Sequence, residues 1–341
     1  MPRDPERAPA IREEVRAHRA ARAWRQAGGN RDPHEIRVLW EGGRGRNQIY
    51  WLAGAGPDGA SVVAKLLQRQ RAELEHQIYT EVLPHLPVPR LRYYGSVEDG
   101  GSLRWSFVEF AFGERYSPTR ADHRRIAGEW LGLVHAAAAD VPGLGQLPDR
   151  GPDHFLSALR VGRDALVHQL ESTETRADAV LVEGVIGVLE AVELRWEDVH
   201  ETCAAQRSTL VHGDFAPYNL RVRADRVGRP LQVFDWDASG RGPPAVDLTL
   251  ATDRHFAANP SLDAYRRAFA TRTPACGIQP LRRLAAVGKI MRSVTAIEWQ
   301  SRRFTPSYCG PDKLLAYVEW IREGMREAGW SPHHAGLAKG L

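Results

Sequence analysis

The chain has 341 residues, of which 43% are hydrophobic, which is enough for a sizeable core in one large domain or two lobes. Its formal net charge is +4, but the arginines are interleaved with acidic residues and form no basic block, which argues against nucleic-acid binding. The three cysteines are widely spaced, and no apolar run is long enough to cross a membrane. These features argue against a disulfide framework, a cysteine zinc site and a membrane protein, and we expect a cytoplasmic protein.

Residues 8–27 are rich in Ala, Arg and Glu and end at two glycines, which predicts a helix. We expect a surface helix that packs through Ile11, Val15 and Trp24. The alternative is an added segment that touches the next lobe or a dimer partner. We therefore treat residues 1–30 as an N-terminal helical extension.

From residue 35 to residue 111 the pattern changes to short apolar strands separated by turns. Strands are predicted at residues 36–40 and 47–52, on either side of a glycine-rich loop that contains Gly43 and Gly45. Because glycine has no Cβ, its backbone N–H can approach phosphate oxygens closely. A plain hairpin turn explains this loop equally well.

The next predicted strand, at residues 61–67, is apolar except for Lys65, and the whole chain has only four lysines. A lysine is costly to bury unless it is paired. In kinases the lysine of this strand contacts the α- and β-phosphates of the nucleotide and a helix glutamate. Helical periodicity leaves Glu73, Glu75 and Glu81 as candidate partners, and a solvent-facing lysine on an edge strand is the alternative.

Helical patterns dominate after the strands. Two more strands are predicted at residues 91–94 and 105–110, followed by a hinge near 108–113. Helices are predicted at residues 122–139, 153–171, 175–202, 245–256, 261–271, 279–303 and 311–328. We expect His135, in the first of these helices, to be a hydrogen-bonded core residue and not a ligand.

The run HGDFAPYNL at residues 212–220 organises the chain. It lies between strands predicted at its two ends, and a third predicted strand leads to Asp235 and Asp237. Phosphoryl transfer depends on positioning and on charge neutralisation, and Mg²⁺ prefers hard oxygen ligands. The spacing therefore predicts Asp214 as the base that orients an attacking hydroxyl group, with Asn219 and Asp235 as magnesium ligands.

This run resembles the H-x-D-x-x-x-x-N catalytic loop of eukaryotic-like kinases. Gly213 stands where protein kinases have arginine, and Asp235-Trp236-Asp237 stands where they have D-F-G. With Asp247 in a G-x-P-x-x-D-L pattern, the set is similar to the aminoglycoside phosphotransferase and choline kinase-like family. The interval between Asp235 and Asp247 is too short for the activation loop of a protein kinase, which favours a small-molecule acceptor.

The resemblance covers roughly residues 35–325 and implies an α+β, bilobal protein-kinase-like fold. A small β-rich N-lobe would span residues 31–112 and a larger, mainly helical C-lobe would span residues 113–341. The implied cofactors are Mg²⁺ and ATP, with GTP as the alternative nucleotide.

Roles for individual residues also follow from the resemblance. The family pattern E-x-x-x-Y selects Glu75 as the partner of Lys65, and Asp247 is expected to hold the backbone of the catalytic loop. The implied nucleotide contacts besides this pair are Gly43, Gly45, Asn47, Val108 and Phe110. The implied acceptor contacts are Asp237, Glu298, Trp299 and Arg302, with core or surface roles as the alternative for the last three.

The expected function is Mg²⁺-dependent O-phosphorylation of a small hydroxyl compound, with an antibiotic as the first choice of acceptor in a resistance reaction. A kinase of a primary metabolite such as choline or homoserine is one alternative. A catalytically silent nucleotide-binding regulator is another, and the complete set of Lys65, Asp214, Asn219 and Asp235 argues against it. We expect a monomer or a homodimer.

Overall fold

The computed structural model describes residues 5–11, 14–42, 47–171, 175–223, 230–251, 253, 256–273, 277–301 and 311–330. The chain divides into two compact units. The first, here called the sheet unit, spans Met1–Tyr116, Val141–Gly143 and Ala216–Ala238; the second, the helical unit, spans Ser117–Asp140, Leu144–Phe215 and Ser239–Leu341. The predicted division into residues 1–30, 31–112 and 113–341 stays a prediction.

An antiparallel sheet dominates the sheet unit. Its strands are β1 (Glu35–Glu41), β2 (Gln48–Ala53), β3 (Val62–Gln68), β4 (Tyr93–Glu98) and β5 (Leu103–Glu109). They are arranged in the order β1-β2-β3-β5-β4, so β3 is the central strand. Lys65 therefore lies in the middle of the sheet, opposite Ile49 on one side and Ser106 on the other.

Two helices pack on this sheet. Helix α1 (Arg19–Gln26) buries Trp24, whose ring centroid lies 5.4 Å from that of Phe107. Helix α2 (Arg69–Gln77) continues into a π-helical segment, Ile78–Val82, and buries Glu75. The apolar core of the unit joins α1 to the strands and includes Trp24, Ile36, Leu52, Trp105 and Phe107.

The predicted helix over residues 8–27 is wrong in its first half. The helix begins at Arg19, residues 15–17 form a turn, and residues 9–11 pair with the edge strand β1. There the Ile11 N–H donates to the Ile36 carbonyl at 3.1 Å, and the Val38 N–H donates to the Pro9 carbonyl at 3.0 Å. An edge strand has unpaired backbone groups, and this extended segment satisfies several of them.

A second, smaller sheet of the same unit carries part of the run at residues 212–220 and the segment after it. It consists of β6 (Glu114–Arg115), β8 (Leu220–Val222) and β9 (Leu231–Val233), in the order β6-β8-β9. The pairing of Leu220 with Val233 places the start of β8 beside the end of β9. The residues that precede β8 and follow β9 therefore come together at one end of this hairpin.

The helical unit contains α3 (Ala121–Ala138), α4 (Pro152–Leu170), α5 (Arg176–Glu193), α6 (Trp196–Ala204), α7 (Leu262–Phe269), α8 (Ile278–Ser301) and α9 (Pro311–Glu327). It also contains β7 (Thr209–Val211), which pairs with β10 (Gly240–Gly242). Helix α3 packs on α7, and the long helix α8 packs on α4 and α9. Buried Lys289 joins α8 to α9, since its Nζ lies 2.9 Å from carboxylate oxygens of Glu323 and Glu327.

Two helix predictions in this unit need correction. The helix predicted at residues 175–202 is two helices, α5 and α6, which are interrupted at Leu194 and Arg195. Where a helix is predicted at residues 245–256, the structure has a short 3₁₀ turn, Pro244–Asp247, and residues 248–251 are not helical. The Thr249 hydroxyl donates to the Val246 carbonyl at 3.4 Å, a local bond of the kind that competes with a continuing helix.

Among the helices that the structure describes, none combines the length and the apolar character needed to cross a lipid bilayer.

Candidate active site

Lys65 is the centre of a buried charge cluster in the sheet unit. Its side chain is 5% exposed, and its Nζ lies 2.6 Å from Oε1 of Glu75 and 2.7 Å from Oδ1 of Asp235. The other oxygen of Glu75, Oε2, accepts a hydrogen bond from the Ser106 hydroxyl at 2.8 Å. Each buried charge thus has more than one partner, which is the condition under which burial of charges is tolerated.

The Lys65 side chain stays protonated in the folded chain. Burial alone would lower the pKa of its ammonium group, but the carboxylates of Asp235 and Glu75 outweigh this effect and hold the pKa well above its ordinary value. The predicted ion pair between Lys65 and Glu75 is therefore present, and an exposed lysine on an edge strand is excluded. The cluster keeps one fixed positive charge at the centre of the sheet.

Asn219 and Asp235 come together at the end of the β8–β9 hairpin, as their spacing predicts. The Phe234 N–H donates to the Asn219 carbonyl at 3.2 Å, which places residue 235 next to residue 219. Asn219 is buried, whereas the Asp235 side chain is partly exposed. Asp235 has φ of 71°, in the left-handed region that non-glycine residues rarely occupy. Strain of this kind is typical of functional positions.

The donor atoms of this pair fit a magnesium ion. An amide oxygen and a carboxylate are hard ligands, and Mg²⁺ in nucleotide sites commonly takes one or two protein ligands together with phosphate oxygens and waters. Within the described parts of the chain, no three His, Cys, Asp or Glu side chains are gathered into a metal site of their own. A magnesium ion at Asn219 and Asp235 would therefore need oxygens from a nucleotide and from water.

Asp237 differs from Asp235 in its partner. Its carboxylate lies 3.0 Å from the Arg71 guanidinium of α2. Burial, together with the neighbouring Asp235 carboxylate, raises the pKa of Asp237 to about 7, even though Arg71 opposes the shift. The Asp237 carboxylate is therefore paired with Arg71, whereas that of Asp235 is paired with Lys65.

The other predicted nucleotide contacts have different surroundings. Gly43 and Gly45 lie outside the described residues. Asn47 precedes β2, and its Oδ1 is buried without a hydrogen bond from the part of the chain that the structure covers. Val108 is buried in β5, and the half-buried Phe110 follows that strand, where its N–H donates to the Ser61 carbonyl at 2.9 Å.

In the helical unit, Asp247 holds the start of the loop that carries Asp214. Its carboxylate accepts the His212 N–H at 2.7 Å and the Gly213 N–H at 3.0 Å. Burial alone would raise its pKa, but His135, whose Nε2 lies 3.5 Å away, and the His212 N–H favour the carboxylate and lower the pKa overall. Asp247 holds the loop backbone as predicted, and His135 is a buried residue whose Nδ1 is hydrogen-bonded to the Tyr265 hydroxyl at 3.2 Å, as also predicted.

The carboxylate of Asp214, in this loop, is accessible to solvent. Its side chain is 32% exposed, and its backbone N–H donates to Nδ1 of His212 at 3.3 Å. Gly213, just before it, has φ of 78°, a conformation that favours glycine over arginine. The turn thus explains why glycine stands at the position where protein kinases have arginine.

Two of the predicted acceptor contacts, Glu298 and Trp299, lie near the end of α8. Trp299 is 45% exposed and Glu298 is half-buried, while Arg302 lies outside the described residues. Glu298 faces α4, because a Cβ added at Gly162 would lie 3.1 Å from its Cα. Trp299 remains a candidate with an accessible ring.

Sequence reasoning did not identify Arg292 or Gly288, both on α8. Arg292 donates to Oδ1 of Asp214 at 3.0 Å. Gly288 allows α8 to approach the turn that contains Asp247, since an added Cβ would lie 1.8 Å from the Ala245 carbonyl oxygen. Both contacts are long-range, and no local sequence signal precedes them.

Comparison with solved structures shows the fold. Spectinomycin phosphotransferase APH(9)-Ia, solved with ADP and spectinomycin, is 11% identical, with a TM-score of 0.55 over 88% of this chain and 93% of its own. The GDP and kanamycin complex of APH(2'')-IIIa is 14% identical, with a TM-score of 0.59 over 89% and 97%. Choline kinase from Cryptosporidium parvum is 11% identical, with a TM-score of 0.56 over 89% and 93%. The predicted α+β kinase-like fold is confirmed.

Comparison by sequence gives the family. A search of curated proteins returned no significant match. The family model described as phosphotransferase enzyme family matches residues 36–278, which is more than half of the chain and includes Lys65, Asp214, Asn219 and Asp235. This match confirms the prediction of an enzyme that transfers a phosphoryl group to a hydroxyl group of a small molecule. The chain belongs to the phosphotransferase enzyme family.

Proposed function

We propose that this enzyme transfers the γ-phosphoryl group of ATP, or of GTP, to a hydroxyl group of a small molecule in the presence of Mg²⁺. The observation that carries the proposal is the buried Lys65, held between Glu75 and Asp235 at 2.6 and 2.7 Å. A fixed cation at the centre of a sheet suits the α- and β-phosphates of a nucleotide. The ADP and GDP in the two antibiotic kinase structures support a purine nucleotide.

Each unit contributes its own part of the machinery. In the sheet unit, Lys65 would bind the nucleotide phosphates, and Asn219 and Asp235 would hold Mg²⁺. When bound, the ion neutralises charge that develops on the phosphates. Because Asp235 is paired with Lys65 in the structure, we expect its carboxylate to divide its interaction between Lys65 and the ion when nucleotide is present.

In the helical unit, Asp214 would receive the acceptor. In a loose transition state the hydroxyl proton moves late, so the main contribution of the Asp214 carboxylate is to hold the attacking oxygen in line with the γ-phosphorus. Its 32% exposure leaves it accessible to such a group. Asp247 holds the backbone of His212 and Gly213 just before Asp214, which is what positioning of this kind needs.

We propose an antibiotic as the acceptor, and the spectinomycin and kanamycin complexes of the two structural neighbours support this choice. A primary metabolite such as choline or homoserine is the second candidate, since choline kinase has the same fold. A silent regulator fits less well, because the buried Lys65 cluster and the Asp247 support are both in place. The cytoplasmic location and the monomeric or homodimeric state stay predictions.

The test is a direct search for product. The purified chain is incubated with ATP or GTP, Mg²⁺ and a panel that includes spectinomycin, kanamycin, choline and homoserine, and products are analysed by mass spectrometry. A phosphorylated panel compound supports the proposal and identifies the acceptor class. Nucleotide binding without any phosphorylated product across a broad panel of hydroxyl compounds would contradict it.

A further inference from the structure

The loop that carries Asp214 brings no cation of its own, because the run HGDFAPYNL contains neither lysine nor arginine. The structure supplies one from α8. Arg292 donates from Nη2 to Oδ1 of Asp214 at 3.0 Å and from Nη1 to the Gly213 carbonyl at 3.1 Å. One guanidinium group therefore contacts both the carboxylate and the backbone of the residue before it.

Arg292 is itself held firmly. Its side chain is 9% exposed, and Nη2 also donates to the Phe256 carbonyl at 2.6 Å. The guanidinium carbon lies 5.5 Å from the centroid of the Phe256 ring, a cation–π distance. Three oxygen acceptors and an aromatic face fix the planar group in one orientation, and this planar fork is what distinguishes arginine from lysine.

We infer that Arg292 is the positioning residue for Asp214 in phosphoryl transfer. The inference rests on the proposed function. As the bond between the acceptor oxygen and the γ-phosphorus forms and the bond from phosphorus to the nucleoside diphosphate breaks, the hydroxyl proton passes to the Asp214 carboxylate and then to solvent. Arg292 fixes the rotation of that carboxylate, so that it meets the hydroxyl group in one geometry.

A purely structural role is the competing explanation, since Arg292 also ties α8 to two backbone carbonyls. The two roles differ in how they depend on Asp214. A positioning residue that acts through Asp214 loses its effect on the rate once that carboxylate is gone. A structural residue lowers the rate by the same factor whether or not Asp214 is intact.

The experiment is a double-mutant cycle with Arg292→Gln, Asp214→Asn and the double variant, using the panel compound that the wild-type chain phosphorylates fastest. Arg292→Lys provides a second, less disruptive variant. Arg283→Gln is the control, because Arg283 is an exposed arginine on the same helix. The kcat value, the KM values for acceptor and nucleotide and the thermal midpoint are measured for each variant.

We expect Arg292→Gln to lower kcat by roughly 10²-fold, the order expected for a small misplacement of a reacting group, with the KM for nucleotide nearly unchanged. Arg292→Lys should retain an intermediate rate. In the Asp214→Asn background the same change should alter the rate by no more than about twofold, the margin within which independent effects add. An equal loss in both backgrounds, or a wild-type kcat in Arg292→Gln, would overturn the inference.

The thermal midpoints separate this inference from the proposed function. If the wild-type chain phosphorylates no panel compound, the proposed function fails, but the cycle of thermal midpoints still tests the contact. Coupling predicts that Asp214→Asn changes the midpoint less in the Arg292→Gln background than in the wild-type chain. Additive changes would show that the two side chains do not interact, and the inference would then be wrong.

Discussion

Asp247→Asn tests how the catalytic loop is held. The substitution keeps the shape of the side chain but replaces a carboxylate that accepts two backbone N–H groups, from His212 at 2.7 Å and from Gly213 at 3.0 Å. An asparagine has one amide oxygen for these two donors, and its NH₂ group would face the other N–H. One buried backbone donor is then left without an acceptor.

The expected cost follows from these two bonds. A hydrogen bond to a charged group contributes about 1.5–3 kcal/mol net, and a neutral one about 1 kcal/mol. Replacing two of the first kind by one of the second should lower the free energy of unfolding by about 2–5 kcal/mol. Because Asp247 is 3% exposed, water cannot replace the lost acceptor. For a unit of this size, a loss of 3 kcal/mol lowers the melting temperature by roughly 6–12 °C.

Differential scanning calorimetry near neutral pH measures this change. The matched control is Asp164→Asn on α4, since the Asp164 side chain is 71% exposed and should contribute less than about 0.5 kcal/mol. If Asp247→Asn lowers the melting temperature no more than Asp164→Asn does, the two hydrogen bonds to Asp247 do not stabilise the loop as proposed.

The pH dependence of the same variant has a definite sign. The pKa of Asp247 is lowered in the folded chain, so below the ordinary value of 3.8 the unfolded state binds more protons than the folded state. The stabilisation from Asp247 is therefore fully present above that pH and is lost as the pH falls through the folded pKa. The difference in melting temperature between wild type and Asp247→Asn should shrink over this acidic range.

Three further substitutions test the sheet unit and the packing of α8. Lys65→Ala leaves the fully buried Glu75 without its cation, so we expect a loss of roughly 3–5 kcal/mol in stability and much weaker nucleotide binding by calorimetry. The double variant Lys65→Met/Glu75→Leu should recover stability but not nucleotide binding, and wild-type affinity in either would reject the phosphate role. Gly288→Ala places a Cβ 1.8 Å from a backbone oxygen, so it should destabilise the fold by about 1–3 kcal/mol or more and lower the thermal midpoint accordingly. The control is Gly187→Ala, whose added Cβ has no atom within 4 Å and should not destabilise the fold. Asparagine tolerates the left-handed backbone at position 235, so Asp235→Asn should fold normally. It should lower the rate of phosphorylation by roughly 10²-fold or more. Normal activity at ordinary Mg²⁺ would reject the metal role.

The features that the sequence predicts well are those with a local chemical cause. Lys65 was identifiable because a single cation interrupts an apolar strand, and the structure shows the paired burial that this pattern demands. The proximity of Asn219 and Asp235 follows from the short strands of one hairpin that they adjoin, and their role as magnesium ligands stays a prediction. Glu75 was not distinguishable from Glu73 and Glu81 by periodicity, and it was selected by family resemblance.

Two helix predictions failed in segments whose residue composition favours a helix. The segment before Arg19 has helix-forming residues, but its backbone is hydrogen-bonded to the open edge of β1. In the second segment, Pro244–Asp247 is a 3₁₀ turn and residues 248–251 are not helical, although a helix is predicted at residues 245–256. Tertiary hydrogen bonds overrode local propensity in the first segment, and a local side-chain bond from Thr249 competes with a helix in the second.

The contact between Arg292 and Asp214 could not be predicted from this sequence alone. It lies 78 residues after Asp214, in a helix whose other arginines are exposed at Arg282 and Arg283. No spacing rule connects the two side chains. Their contact depends on the path of α8 past the turn at Pro244–Asp247, which Gly288 permits.

The most direct test of phosphoryl transfer to a hydroxyl compound at Asp214 follows the γ-phosphoryl group itself. ATP labelled in that group is incubated with Mg²⁺, the panel of hydroxyl compounds and either the wild-type chain or Asp214→Asn, and nucleotide affinity is measured for both. We expect labelled acceptor from the wild-type chain, and unchanged nucleotide binding with roughly 10²-fold slower transfer from Asp214→Asn. A wild-type chain that binds nucleotide but labels no hydroxyl compound, or an Asp214→Asn variant that transfers at the wild-type rate, would contradict this expectation.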